Sequence, residues 1–179
     1  MIKGYKIRLY PTKIQEDLMW QHIYGCRYVW NYMFALQEER YKNKESYLSE
    51  YQMMKLLPLL KNDGEHNWLK QLSSGSLKCV CTNLDNAYKL FFRSGKRHPK
   101  FKTKKHSKNR FPARQDSMYF CEDSKVQIEK IGKIKYKTDF NIPIGKEPKF
   151  MNPYVFLDDN KWYLSFSMEV KDKFPSFNR

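Results

Sequence analysis

Between Asp85 and Asp116 the chain has no acidic residue. Over 179 residues it carries 34 Lys and Arg against 19 Asp and Glu, a formal net charge of +15. Like charges repel and weaken a compact state, so an uncompensated cationic run needs a reason beyond the fold. A balance this basic points first to nucleic acid and then to an anionic membrane surface. Long apolar runs are lacking as well. None approaches the roughly 20 residues that cross a bilayer, so no membrane association is expected. The opening residues MIKGYKIRLYP lack the apolar stretch and cleavage-like site of a secretory leader, and a cytoplasmic protein is expected.

Metal and redox chemistry have little to build on. The cysteines Cys26, Cys79, Cys81 and Cys121 include no pair at the C-x₂-C spacing of a zinc site. Cys79 and Cys81 lie two apart on an expected helix and face different ways, so reduced, buried or half-buried thiols are expected. His22, His66, His98 and His106 include no helical i, i+4 pair. A two-metal nuclease needs several carboxylates from separate elements, and none assemble here. Asp158 and Asp159 fall in an expected hairpin turn, where Asp is favoured for backbone reasons. No catalytic residue, metal site or cofactor is assigned.

Apolar residues make up 41% of the chain and aromatics 16%, enough for a core and too much for a disordered basic tail. Residues 2–9 alternate apolar and basic side chains and read as a strand with Ile2, Tyr5, Ile7 and Leu9 inward. Thr12 and Gln15 form a capping-box pattern for a helix to about Tyr24, with Ile14, Leu18, Met19 and Ile23 inside and Gly25 as its stop. A second helix, 26–42, carries Tyr28, Val29, Tyr32, Met33, Leu36 and Tyr41 at helical period. A third is expected near 48–60, kinked or ended by Pro58. Trp68 and Leu69 read as an anchor for the following loop. Ser73 or Ser74 caps a fourth helix to about Arg93. After Arg114 the pattern turns β-like: VQIEKIG, KIKYKT, and a hairpin in PYVFLDDNKWYLSFSMEV with Trp162, Leu164, Phe166 and Met168 on one face. The tail KDKFPSFNR reads as polar and frayed. A lone first strand needs partners, so it pairs with the late strands, and the helices interrupt a small β-barrel or curled sheet.

The basic run centres on Phe91–Lys105, FFRSGKRHPKFKTKK, with seven Lys and Arg. Each cation that neutralises a phosphate releases counterions, giving tight, salt-sensitive binding. Phe101 and Phe111 either stack on unpaired bases or pack. The bland reading is a solvated linker; interleaved apolar residues and folded flanks argue against it. The helix pair 12–24 and 26–42, joined at Tyr24-Gly25-Cys26, also suggests a helix-turn-helix. Its second helix offers Arg27, Asn31 and Arg40 to phosphate but few base-reading groups, so core packing is favoured.

YKIRLYPTKIQEDL, YGCRYVWNYMFALQEERY, NWLKQLSSGSLKCVCTNLDNAYKLFFR, HPKFKTKK, IGKIKY and NKWYLSFSMEV, in this order, resemble the N-terminal half of the TnpB (OrfB) transposon-encoded RNA-guided nucleases. The resemblance implies an α+β fold: a small antiparallel β-barrel (wedge-like) interrupted by an inserted four-helix recognition bundle. Its parts are a barrel of residues 1–10 plus 111–171, a helical domain of 11–95, a basic linker of 96–110 and a tail of 172–179. It implies a module that holds a structured guide RNA and target-adjacent duplex DNA in a bacterial, archaeal or phage-encoded setting. The family's RuvC-like nuclease segment has no counterpart here, so the chain is expected not to be an enzyme, with a separate nuclease-bearing chain as a further partner. The linker cations Lys96, Arg97, Lys100, Lys102, Lys104, Lys105 and Arg110 are assigned to nucleic acid. So are Arg27, Ser74, Lys78, Thr82 and Arg93 on the helices, with Glu50 and Met54 matching the helix beside them. The alternative is a stand-alone helix-turn-helix-type DNA-binding regulator or transposase remnant; a decayed gene fragment is the third.

Overall fold

The computed structural model describes residues 1–170. The expected frayed tail lies outside the described residues. Strand β1 (Ile2–Tyr10) leads into three α-helices: α1 (Lys13–Lys42), α2 (Glu50–Lys61) and α3 (Ser74–Ser94). A 3₁₀ turn, Asn67–Gln71, joins the last two. Six strands follow: β2 (Arg110–Pro112), β3 (Tyr119–Cys121), β4 (Lys125–Ile128), β5 (Gly132–Lys137), β6 (Phe150–Asp158) and β7 (Lys161–Glu169).

All seven strands form one antiparallel sheet in the order β2-β6-β7-β1-β5-β4-β3. The first strand thus lies between late strands, as its unpaired edges require. The inward alternation holds for Ile7 and Leu9, both buried, while Ile2 is 64% exposed. Trp162, Leu164 and Phe166 are buried on the same side. The sheet curls: Phe120 on edge strand β3 meets Phe150 of β6 at 5.0 Å and Phe166 of β7 at 5.4 Å. It does not close. Among the described residues β2 and β3 make no ladder with each other, so the expected barrel is a half-barrel. The β6–β7 turn has Asp159 and Asn160 at φ 47° and 56°, the paired left-handed conformation of a type I′ hairpin.

Among the described residues the expected four helices are three. Residues 13–42 form one 30-residue helix that passes through Gly25 without a break. Gly25 serves close approach, not a turn: a Cβ there would lie 2.0 Å from the Leu72 Cδ1 and 3.4 Å from the Trp68 ring. With no side chain the 3₁₀ turn can press against the helix. The two helices expected over 12–42 are therefore one, with no turn between them. Both bonds of the Thr12–Gln15 capping box form, and Ser49 and Gln52 make a second at α2. Pro58 lies inside α2, which continues to Lys61. Gly95 ends α3 at φ 62°. Of the expected inward residues, Ile14 is 76% and Tyr41 81% exposed, and Tyr28 and Tyr32 also reach solvent.

Bundle and sheet share one core. Phe111 of β2 is buried against the His22 ring at 5.0 Å, so this aromatic packs rather than stacking on bases. Trp20 meets Trp162 edge-on at 5.6 Å. Ser76 Oγ donates to the Pro112 carbonyl at 2.6 Å, and the Gln15 side chain donates to the Lys133 carbonyl at 2.8 Å. The Phe111 and Pro112 contacts seat α1 and α3 on the β2 edge, those to Trp162 and Lys133 tie α1 to β7 and β5, and a trough lies where helices, basic segment and sheet meet.

Candidate nucleic-acid interface

Residues 96–109 are not a free linker. Trp30 of α1 donates its indole N–H to the Lys100 carbonyl at 2.9 Å. Asn31 grips Lys102 twice, donating to its carbonyl at 2.8 Å and accepting from its amide at 2.7 Å. Phe101 stands edge-on to Phe34 at 4.6 Å yet stays 57% exposed. The segment is strapped along α1 by groups that a charge count does not weigh.

The strap forms one wall of a groove of about 490 Å³ between α1, α3 and β2. Six cations face it: Arg27, Arg97, Lys100, Lys102, Lys108 and Arg110. Among the described residues no carboxylate lines it. The Lys102 ammonium lies 3.9 Å from the Trp30 ring centre. Burial, with Arg110 next, pushes its pKa down to about 8. Cations crowded without counter-ions in partly desolvated surroundings favour an incoming anion.

The groove runs on in two directions. A cleft of about 380 Å³ shares Asn83, Pro112 and Tyr154 with it and reaches the start of α3. Ser74, Lys78 and Arg114 line that cleft. Gly75 leaves room for Arg114, whose side-chain carbons lie 2.6 Å from where a Cβ would stand. Lys61 donates to Ser74 Oγ at 2.9 Å, and its own pKa is lowered by burial and by Lys78 and Lys130. A third cleft of about 460 Å³ shares Lys108, Arg110 and Tyr154 with the groove and opens onto the sheet. Tyr154 sits at the junction, its hydroxyl accepting from Asn83 at 2.9 Å. The trough that joins the two lobes is lined mainly by cations, with Asp116 in the cleft at the α3 start and Asp158 in the cleft on the sheet.

Of the residues singled out by sequence, Arg27, Arg97, Lys100, Lys102 and Arg110 converge on the groove, and Ser74 and Lys78 on the adjoining cleft. Lys96, Lys104 and Lys105 are exposed and line none of the three clefts. Arg93 faces a separate hollow with Lys89 and Phe92. Thr82 bonds back to the Lys78 carbonyl at 3.4 Å, as helical threonines do, and lines no cleft. Glu50 lies in the first turn of α2 and Met54 packs on the core. Sequence reasoning missed Lys108, although it lies in the acid-free run, and Asn83, Tyr154 and Arg114, which only folding brings together.

The cysteines are free. Cys26 and Cys81 are buried, which pushes both thiols up to about 12, and Cys79 is raised by burial too. Among the described residues no group of three His, Cys, Asp or Glu could hold a metal ion. No described helix is long and apolar enough to cross a membrane.

Comparison with known proteins bears on this trough. Residues 1–46 match the family described as the helix-turn-helix domain of the OrfB_IS605 type. In this chain those residues fold as β1 and α1, with the first residues of the following loop. The chain is also 29% identical over 174 residues, 97% of its length, to InsQ of Escherichia coli (strain K12), named as a candidate RNA-guided DNA endonuclease. It spans 42% of that relative's length. The chain is thus similar over its first 46 residues to the OrfB_IS605-type domain and, almost end to end, to less than half of one RNA-guided endonuclease candidate.

Proposed function

We propose that the chain is the nucleic-acid-holding module of a TnpB-like RNA-guided protein, gripping a structured guide RNA and target-adjacent duplex DNA while cleavage is done elsewhere. The observation that carries the reading is the convergence of Arg27, Arg97, Lys100, Lys102, Lys108 and Arg110 on one groove without a lining carboxylate. A polyanion laid there neutralises six charges that the fold leaves uncompensated, and the counterions it sheds drive binding. The Asn31 and Trp30 bonds hold the strap before the ligand arrives, so its ordering cost is not charged to binding. The cleft at the α3 start, with Ser74, Lys78 and Arg114, suits the edge of a duplex lying beside the RNA. The uninterrupted course of α1 weighs against the stand-alone helix-turn-helix regulator.

The test separates cations that face the groove from those that do not. Binding of a labelled structured RNA and of a DNA duplex is followed by anisotropy across a salt series. Replacing Arg27, Arg97, Lys100 and Arg110 with Ala should weaken RNA binding by about a hundredfold or more and flatten the salt slope by about 3 to 4 units. Replacing Lys96, Lys104 and Lys105 should do much less. Equal losses from the two sets would mean that charge alone, without the groove, explains binding.

A further inference from the structure

The outer face of the sheet carries a second ordered array, which meets the groove only at Arg110. Strand register places Arg110 of β2 opposite Phe156 of β6, Phe156 opposite Tyr163 of β7, Tyr163 opposite Arg8 of β1, and Arg8 opposite Lys137 of β5. Five strands thus contribute one row: cation, ring, ring, cation, cation. At strand spacing it is about 19 Å long, room for a short strand rather than a single nucleotide. Phe156 and Tyr163 stack at 5.5 Å and 23° and are half-buried, leaving ring surface on the solvent side. Lys6 lies 4.2 Å from the Tyr163 centre and 5.4 Å from Phe156, and Arg8 lies 5.6 Å from Tyr163 and 5.1 Å from Tyr10. Lys137 lies 5.4 Å from Tyr10. Asp158 is the carboxylate beside them, 3.9 Å from Lys6 with both groups largely exposed, too open to cancel the array.

We propose that this face is a platform for an unpaired stretch of RNA, its bases stacked on Tyr163 and Phe156 and its phosphates held by Lys6, Arg8, Lys137 and Arg110. The proposal rests on the nucleic-acid reading above and adds a second, chemically different subsite to it. A duplex hides its base faces, whereas splayed bases offer them to aromatic rings. Lys6 is a flexible cover: a base that displaces its ammonium from the ring frees it for the neighbouring phosphate. Ser165, opposite both Lys6 and Tyr154, places a hydroxyl beside the row, where a ribose 2′-OH has a partner and deoxyribose has none. The path is continuous with the groove, because Arg110, Tyr154 and Phe156 line the cleft that joins them. An RNA whose structured part fills the groove can therefore run its single-stranded part across the sheet.

The full chain is titrated with a short unstructured RNA, the DNA of the same sequence, and a DNA duplex of that length. The Phe156→Leu/Tyr163→Leu variant keeps apolar strand residues but removes the rings. It should lose about tenfold or more for the unstructured RNA, leave duplex binding unchanged and keep the salt slope. A Lys78→Ala/Arg114→Ala variant, at the cleft assigned to the duplex, should weaken duplex binding and flatten its salt slope. If the leucine variant weakens both ligands equally, or neither, the platform is wrong. If the DNA strand binds as tightly as the RNA with the same loss, the assignment to RNA is wrong. If the unaltered chain binds none of the three, the nucleic-acid reading itself falls. Photocrosslinking of thiouridine RNA to the unaltered chain gives a readout independent of variant folding. Crosslinks at Tyr163 or Phe156 support the platform, and crosslinks confined to residues 96–109 overturn it.

Discussion

His22 lies wholly buried in α1 with both ring nitrogens in use. Nδ1 donates to the Leu18 carbonyl at 2.8 Å, and Nε2 accepts from the Ser73 amide at 3.0 Å. That pair of bonds needs the neutral ring with its proton on Nδ1. Burial lowers the pKa below 6.5, so the folded chain binds this proton more weakly than the unfolded chain does. The stability His22 contributes is then complete above about pH 6.5 and is lost as pH falls below it. His22→Gln should cost about 1 to 3 kcal/mol at neutral pH, because a buried amide or carbonyl loses its partner. It should also flatten the fall in melting temperature between neutral and mildly acidic pH. A variant that melts with the unaltered pH dependence would place the acid sensitivity at another group. No local pattern announces this role. His22 has no helical histidine neighbour, and what satisfies it is a backbone amide fifty-one residues away.

At the scale of elements, local chemistry was legible and contact chemistry was not. The Thr12–Gln15 capping box and the Asp158-Asp159-Asn160 turn are written in adjacent residues and form, and of Ser73 and Ser74 it is Ser73 that caps α3. Gly25 reads as a stop but serves close packing, because a glycine signals two different needs, a left-handed backbone or a missing Cβ. Only the position of Leu72 tells which applies. Pro58 does not end α2, since tertiary packing of Leu57 and Leu60 carries the helix past it. Half-barrel against barrel turned on whether two short edge strands meet, which no pattern within either strand encodes. The strap had no sequence signal either, as an asparagine on a helix face announces nothing about the chain it will hold. Asn31→Ala removes both bonds to Lys102. The Lys102 amide should then exchange with solvent deuterium at least tenfold faster, and RNA affinity should drop although no charge is lost. Unchanged exchange would show that Trp30 and the Phe34–Phe101 contact hold the segment without Asn31.

For the whole molecule, net charge of +15 was visible at once, but its arrangement was not. The acid-free run told which segment was cationic, and folding selected Arg97, Lys100, Lys102, Lys108 and Arg110 from it and added Arg27 from α1. Crowding them has a consequence that a scattered surface would lack. Lys102, half-buried with Arg110 and Arg27 near it, has a pKa of about 8 and gives up its proton far more easily than an ordinary lysine. A phosphate beside it restores the charged form, so binding raises that pKa and takes up a proton. The sign follows: below about pH 8 the ammonium is already charged and affinity is flat, while above pH 8 each bound polyanion must recruit a proton and affinity falls. The limiting slope is one proton, up to about tenfold per pH unit until the bound-state pKa is reached. Lys102→Arg keeps the charge and cannot deprotonate in this range, so its RNA affinity should be flat through the same window. RNA titrations at fixed ionic strength from neutral to moderately alkaline pH, on both proteins, measure the difference. If the two curves coincide, Lys102 lies apart from the bound phosphates and the groove is not where the RNA sits.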